Sequence, residues 1–213
     1  MLVKKFTFNG FQENTYVVYS EKGNCIIIDP GCYTSMEEQE LVSFIHDNSL
    51  KPVALCNTHA HIDHVLGNSF IASKFNIPYY LHEDDVKTLK SVESYAHLYG
   101  FEGYKNSPMP NHYFGHLQIL EFEEIKFQVF HTPGHCPGHV VFYFEEYDFV
   151  INGDVLFQGS FGRVDLPGGD LETLKESIFN QMFHLPDDTL VYCGHGSETT
   201  IGQERKTNYI LNF

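Results

Sequence analysis

The sequence predicts an α/β protein built from two strand-rich halves, each with flanking helices. Three observations predict it. Short, continuously apolar runs, such as residues 25–28 and 52–56, read as strands buried on both faces. Amphipathic segments alternate with them, the clearest carrying Leu41, Phe44 and Ile45 on one stripe. In both halves, loops bearing histidine or aspartate follow directly on a strand-like run, where α/β sheets place their ligand sites. With 213 residues, 42% apolar and 19% charged, the chain is long enough for a substantial core, and residues 1–213 read as one domain.

The elements follow in order. Residues 2–8, 15–20 and 25–29 read as strands, separated by turns at 11–14 and 21–24. The third strand ends in Asp29-Pro30-Gly31, and Asp29 either forms that turn or orients a ligand histidine. Ser35 opens a helix with Glu37 and Glu38 in its first turn. A strand over 52–56 is followed by a polar loop, a short helix over 68–75, a strand over 78–81 and a helix to about residue 90. Residues 91–116 carry Tyr95, Tyr99, Phe101, Tyr104, Tyr113 and Phe114 with little period. They read as a loop-rich connection, either a wall facing a substrate or a packed loop. Residues 117–122 and 125–130 form a hairpin. Strands at 140–144 and 149–151, a helix over 170–182 started by Asp170, a strand over 189–193 and a closing helix over 203–211 complete the chain.

The loop after the 52–56 strand is the most informative stretch: Asn57-Thr58-His59-Ala60-His61-Ile62-Asp63-His64. Imidazole and carboxylate are the ligands that zinc and similar divalent ions take. The spacing is too tight for one face of a regular helix. An alternation of two would put His59, His61 and Asp63 on one side and His64 on the other, and two directions suggest two metals. Three further candidates stand at strand ends beside glycine: His135, Asp154 and His195. Glycine lets such short loops aim a side chain. His131 and His139 flank His135 and are candidates for orienting it.

Composition excludes several classes. The net charge of -15 argues against a nucleic-acid groove, which needs clustered cations. No apolar run approaches a membrane span, and the first residues lack the long apolar segment of a secretory signal. Five cysteines without a CxxC pair suggest free thiols in a reducing compartment, hence a cytoplasmic location.

The series THAHIDH, TPGHCPGH, NGD and CGHG, in that order over essentially the whole chain, resembles the metallo-β-lactamase-fold hydrolases. Residues 159–170 and 194–202 resemble more narrowly the glyoxalase II branch, in the short bacterial form without a separate helical domain. The resemblance implies a four-layer αββα sandwich and a dinuclear site: His59, His61 and His135 on one ion, Asp63, His64 and His195 on the other, Asp154 bridging. Zinc is favoured, with iron or manganese possible. It implies hydrolysis of a small-molecule thioester such as S-D-lactoylglutathione by metal-bound hydroxide, with Asp63 accepting the water's proton. The family's Gly-Lys-x-Tyr glutathione segment is here Gly162-Arg163-Val164-Asp165. Arg163 could bind a substrate carboxylate or be held in a salt bridge with Asp165 or Asp170. Alternatives on the same fold are a mononuclear-iron persulfide dioxygenase, a lactonase or other ester hydrolase, and a metal-binding protein without turnover.

Overall fold

The computed structural model describes residues 1–213. They divide into two compact units, Met1–Tyr113 with Glu121–Ile125, and Phe114–Leu120 with Lys126–Phe213. The elements run β1 (Leu2–Phe8), β2 (Glu13–Tyr19), β3 (Asn24–Ile28), α1 (Ser35–Asp47), β4 (Lys51–Cys56), α2 (Ile62–Val65), α3 (Asn68–Phe75), β5 (Tyr79–His82), α4 (Val86–Tyr95), β6 (His112–Phe114) and β7 (Ile119–Phe122). Then follow β8 (Ile125–His131), β9 (Val140–Phe144), β10 (Phe149–Gly153), β11 (Leu156–Phe157), β12 (Ser160–Phe161), α5 (Leu171–Asn180), β13 (Leu190–Cys193), β14 (Thr199–Thr200) and α6 (Ile201–Thr207).

One six-stranded sheet has the order β1-β2-β3-β4-β5-β6 and the other β14-β13-β10-β9-β8-β7. The first begins as an antiparallel meander and turns parallel at β3–β4 and β4–β5. The second is antiparallel except for β10–β13. Parallel pairs bring carboxyl ends to one edge, so β3 and β4 in one unit, and β10 and β13 in the other, deliver their following loops side by side. β9 is buried along its whole length, as its unbroken apolar run requires, and so is β10, whose Asn152 spends its amide on the Gly153 and Leu156 carbonyls. Beneath the first sheet, Val17, Ile27, Leu55 and Leu81 pack with Leu41 and Ile45 of α1. In the second unit Val141, Val150 and Val191 pack with Leu174 and Ile178 of α5. No helix is long and apolar enough to cross a membrane.

Three expectations need correction. The first turn lies at residues 9–12, not 11–14, and β2 already begins at Glu13. Glu13 and Asn14 are polar yet fully buried; they belong to a hydrogen-bonded network rather than to a solvated turn, with Asn14 accepting from the Thr7 hydroxyl at 2.9 Å. Secondly, residues 91–116 are less irregular than their composition suggests. α4 runs to Tyr95, a 3-10 turn covers Ala96–Tyr99, and β6 joins the sheet edge. The aromatic side chains largely pack on one another: Phe101 meets Tyr33 edge-on at 4.8 Å, and Tyr99 meets Phe11 at 5.6 Å and Tyr95 at 5.9 Å. The closing helix is also displaced: α6 starts at Ile201, capped by Thr200, and a separate 3-10 turn covers Tyr209–Asn212. All five cysteines are free and buried, and burial pushes the Cys25 thiol up to about 12.

α1 shows how one side chain can brace several segments. Thr34 and Glu37 form a capping box. The Glu37 carboxylate accepts the N–H groups of Tyr33 (2.9 Å) and Thr34 (2.8 Å) and, from the β1–β2 turn, of Asn9 (2.7 Å). Burial alone would raise its pKa, but these donors outweigh burial and hold it below the ordinary carboxylate value. A lowered folded-state pKa stabilises the protein above the unfolded value, about 4.3, and the contribution is lost as pH falls through the folded value. Glu37→Ala is expected to lower stability at pH 7 by roughly 1–2 kcal/mol. The gap between variant and wild type should close toward pH 3; a gap in urea midpoints that stays constant from pH 7 to 3 would contradict this account.

Candidate metal centre

In the first unit the candidate ligands sit on the loop leaving β4 and on α2. Beyond His61 the expected alternation of two fails. His61 stands just before α2, and Asp63 and His64 lie within its single turn. The turn swings His64 back toward His59, so that their rings are 4.1 Å apart, against 4.8 Å for His59 and His61. Ligand atoms of Asp29, His59 and His64 all lie within 4.8 Å of one another.

Asp29 organises this group. It has a left-handed backbone (φ 47°) at the end of β3, a conformation that costs a non-glycine residue energy and persists where surrounding contacts enforce it. Its Oδ1 accepts the Thr58 N–H (2.7 Å) and the Asn57 amide (3.2 Å). Its Oδ2 accepts the Thr58 hydroxyl (2.5 Å) and lies 3.2 Å from His64 Nδ1. A carboxylate can only accept, so His64 carries its proton on Nδ1. The Thr58 hydroxyl spends its one hydrogen on Asp29 and can only accept from His59 Nδ1, 3.1 Å away. Both histidines are thereby fixed in the tautomer that leaves Nε2 as the lone-pair nitrogen. Of the two readings of Asp29, orientation of ligand histidines is the one the geometry supports.

Other side chains pin the loop backbone. Asn57 donates to the His64 carbonyl at 2.9 Å and receives Asn68 at 2.8 Å. Asn9, in the β1–β2 turn, donates to the Gly31 and Asp63 carbonyls at 2.9 and 3.1 Å. Glu13 is fully buried with Oε1 3.9 Å from His64 Nδ1, and burial pushes its carboxyl well up. Tyr95 feels the Asp63 carboxylate; burial first, and then that field, push its phenol up.

The second unit assembles His135, Asp154 and His195. Asp154 Oδ2 lies 3.6 Å from His135 Nε2 and 3.5 Å from His195 Nε2. These separations are too long for good hydrogen bonds. They are near the ~3.3 Å edge of a tetrahedron with metal–ligand bonds of about 2.0–2.1 Å. His135 Nδ1 is 2.7 Å from the Arg163 carbonyl oxygen, again an acceptor only, so Nε2 again keeps the lone pair. The donor set and its tautomers therefore fit a divalent ion. Gly162 makes the Arg163 contact possible: a Cβ there would collide with the Asp154 carbonyl and come within 3.1 Å of His135 Nδ1.

His139 is buried and takes the opposite tautomer. Its Nε2 accepts the Asp154 N–H at 3.0 Å, so it holds the aspartate backbone and is no ligand. His131 binds the Pro137 carbonyl through Nε2 at 2.8 Å and so closes the turn that carries His135. Arg163 is exposed and makes two hydrogen bonds of 2.7 Å to Asp165. This pairing holds the Asp165 carboxyl at about 2. The salt bridge weighed for Arg163 is thus made, and with Asp165 rather than Asp170, which instead caps α5. Asn9, Asn57 and Glu13 were not singled out by sequence. Glu13 and Asn57 are marked only by their burial, and the half-buried Asn9 only by the carbonyls it binds.

Comparison with known proteins agrees with this arrangement. The family model of the metallo-β-lactamase superfamily matches residues 8–195. Hydroxyacylglutathione hydrolase GloC of Haemophilus influenzae is 35% identical over 214 residues, covering 100% of this chain and 99% of that protein. Among solved structures, BLEG-1 B3 metallo-β-lactamase superimposes with a TM-score of 0.90 at 36% identity, covering 100% of both chains. TTHA1623 in a di-iron-bound form gives 0.86 at 36% identity over 97% of this chain and 98% of that one. Fold, ligand-bearing loops and sequence agree: the chain belongs to the metallo-β-lactamase superfamily and has its α/β fold.

Proposed function

We propose that this chain acts as one catalytic domain, a dinuclear metal-dependent thioesterase of the glyoxalase II type, with S-D-lactoylglutathione or a similar hydroxyacyl thioester as substrate. The observation that carries the reading is the tautomer pattern. His59, His64 and His135 each give Nδ1 to an oxygen acceptor and keep Nε2 for an ion. The likeness to GloC over the full chain supports the substrate class. In this reading His59, His61 and His135 would hold one ion and Asp63, His64 and His195 the other, with Asp154 serving both. Zinc fits the donor set best; iron and manganese suit the same ligands. A location in the reducing cytoplasm fits five free thiols.

Bound divalent ions lower the pKa of water and polarise a carbonyl. The chain's own groups do the rest. Asp63 accepts the proton of the attacking water, the thioester C–S bond breaks, and the sulfur leaves as thiolate and is protonated, giving acid and thiol. Asp154, whose Oδ2 faces both His135 and His195, would offer the ions a shared carboxylate. Arg163 meets a substrate carboxylate by exchanging it for Asp165, both being exposed. A second reading, β-lactam hydrolysis, rests on the 36% identity to BLEG-1.

The test is steady-state hydrolysis of S-D-lactoylglutathione and of a chromogenic cephalosporin, with metal analysis of the same sample. The expected result is about two ions per chain and thioester turnover that a chelator removes and Zn²⁺ restores. Two bound ions with cephalosporin turnover alone would replace the first reading by the second. Thioester turnover indifferent to chelation would overturn both.

A further inference from the structure

Asp85 stands at the head of α4 with its side chain fully buried, yet it makes no hydrogen bond to the N–H groups of its own helix. The residues that lead α1, α5 and α6 do cap their helices. Thr34 takes the Glu37 N–H, Asp170 that of Thr173, and Thr200 that of Gln203. Asp85 instead points its carboxylate across the unit. Oδ2 accepts the Ala60 N–H at 2.5 Å, and Oδ1 accepts the Thr88 hydroxyl at 3.1 Å. Ala60 is fully buried and lies between His59 and His61.

A buried backbone N–H needs an acceptor, and a charged one makes the stronger bond. Thr88 holds the second oxygen and so fixes the carboxylate's rotation. The grip falls on the peptide that sets the angle between two imidazoles whose rings are nearly perpendicular (87°) and 4.8 Å apart. We infer that Asp85 is a positioning residue for metal capture: by holding the Ala60 N–H it sets the divergence of His59 and His61 before an ion arrives. The inference rests on the metal-site reading above.

The test titrates the metal-free full-length protein with Co²⁺, following affinity and the visible d–d spectrum, with near-UV circular dichroism as a check on folding. Asp85→Ala removes the acceptor. Asp85→Ser keeps a polar side chain at the helix start but is too short to reach Ala60, and serves if the alanine variant fails to fold. Asp85→Asn keeps an oxygen for Ala60 and can donate its amide to Thr88. Partners of metal ligands typically contribute about 10- to 100-fold to affinity. Co²⁺ affinity is therefore expected to fall by about that factor in the alanine and serine variants, with an altered spectrum, and to stay within about threefold of wild type in Asp85→Asn. A folded serine variant with wild-type affinity and spectrum would overturn the inference while leaving the metal site standing. Equal losses in the serine and asparagine variants would overturn the hydrogen bond as the cause. A wild-type protein that binds no Co²⁺ would overturn the metal-site reading and this inference with it.

Discussion

On the proposed function, Asp154→Ala is expected to lower thioester turnover by at least about 10³-fold, with loss of metal binding and little change in fold. His135 and His195 both aim Nε2 at one oxygen of this side chain, at 3.6 and 3.5 Å. Without it, two cations would be held near each other with no protein anion between them. Metal assistance is worth several kcal/mol, and three decades of rate correspond to about 4 kcal/mol. The backbone site itself survives the substitution, because His139 binds the Asp154 N–H and not its carboxylate. The measurements are kcat/KM, metal content and a thermal melt on one preparation. Turnover within tenfold of wild type, at unchanged metal content, would remove Asp154 from the centre.

Asp29→Ala should have the largest effect on stability, roughly 3–5 kcal/mol in chelator-treated protein, read as a shift of the urea midpoint. Each buried donor left without an acceptor costs about 1–3 kcal/mol, and partial reorganisation keeps the sum below the full total. Here the Thr58 N–H, the Thr58 hydroxyl, the Asn57 amide and His64 Nδ1 all lose an acceptor in the buried interior. Alanine must also take the left-handed backbone that Asp29 adopts at φ 47°. Metal removal beforehand separates this effect from ligand-linked stabilisation. A shift below about 1 kcal/mol would mean that the network reorganises around the gap.

What was legible in the sequence follows from the physics of each segment. β9 is apolar over all five residues because both its faces are buried, and in β10 the run Phe149-Val150-Ile151 leads straight into Asn152-Gly153-Asp154. The ligand residues stand out because four potential donors in six positions have no packing explanation. α2 was not legible: a four-residue turn shows no period, and its effect, turning His64 toward His59, exists only in three dimensions. Nor was Asp85. In sequence it is an acidic residue ahead of a helix, a common capping position; its role depends on one oxygen reaching the Ala60 N–H instead of the N–H groups of that helix. β6 is three residues long and is held by pairing at the sheet edge rather than by its own pattern. Arg163 shows the opposite case. Its chemistry was legible, but its partner was left open between two aspartates two and seven positions away.

The buried thiols have a consequence for how the molecule opens. Cys25, Cys32 and Cys56 belong to the first unit, Cys136 and Cys193 to the second. A thiol shielded by packing reacts with an alkylating reagent only during the interval in which its surroundings come apart. The five positions therefore act as clocks distributed over both units. Modification of 25, 32 and 56 at one common rate and of 136 and 193 at another marks separate opening of the units, and a single rate for all five marks one cooperative event.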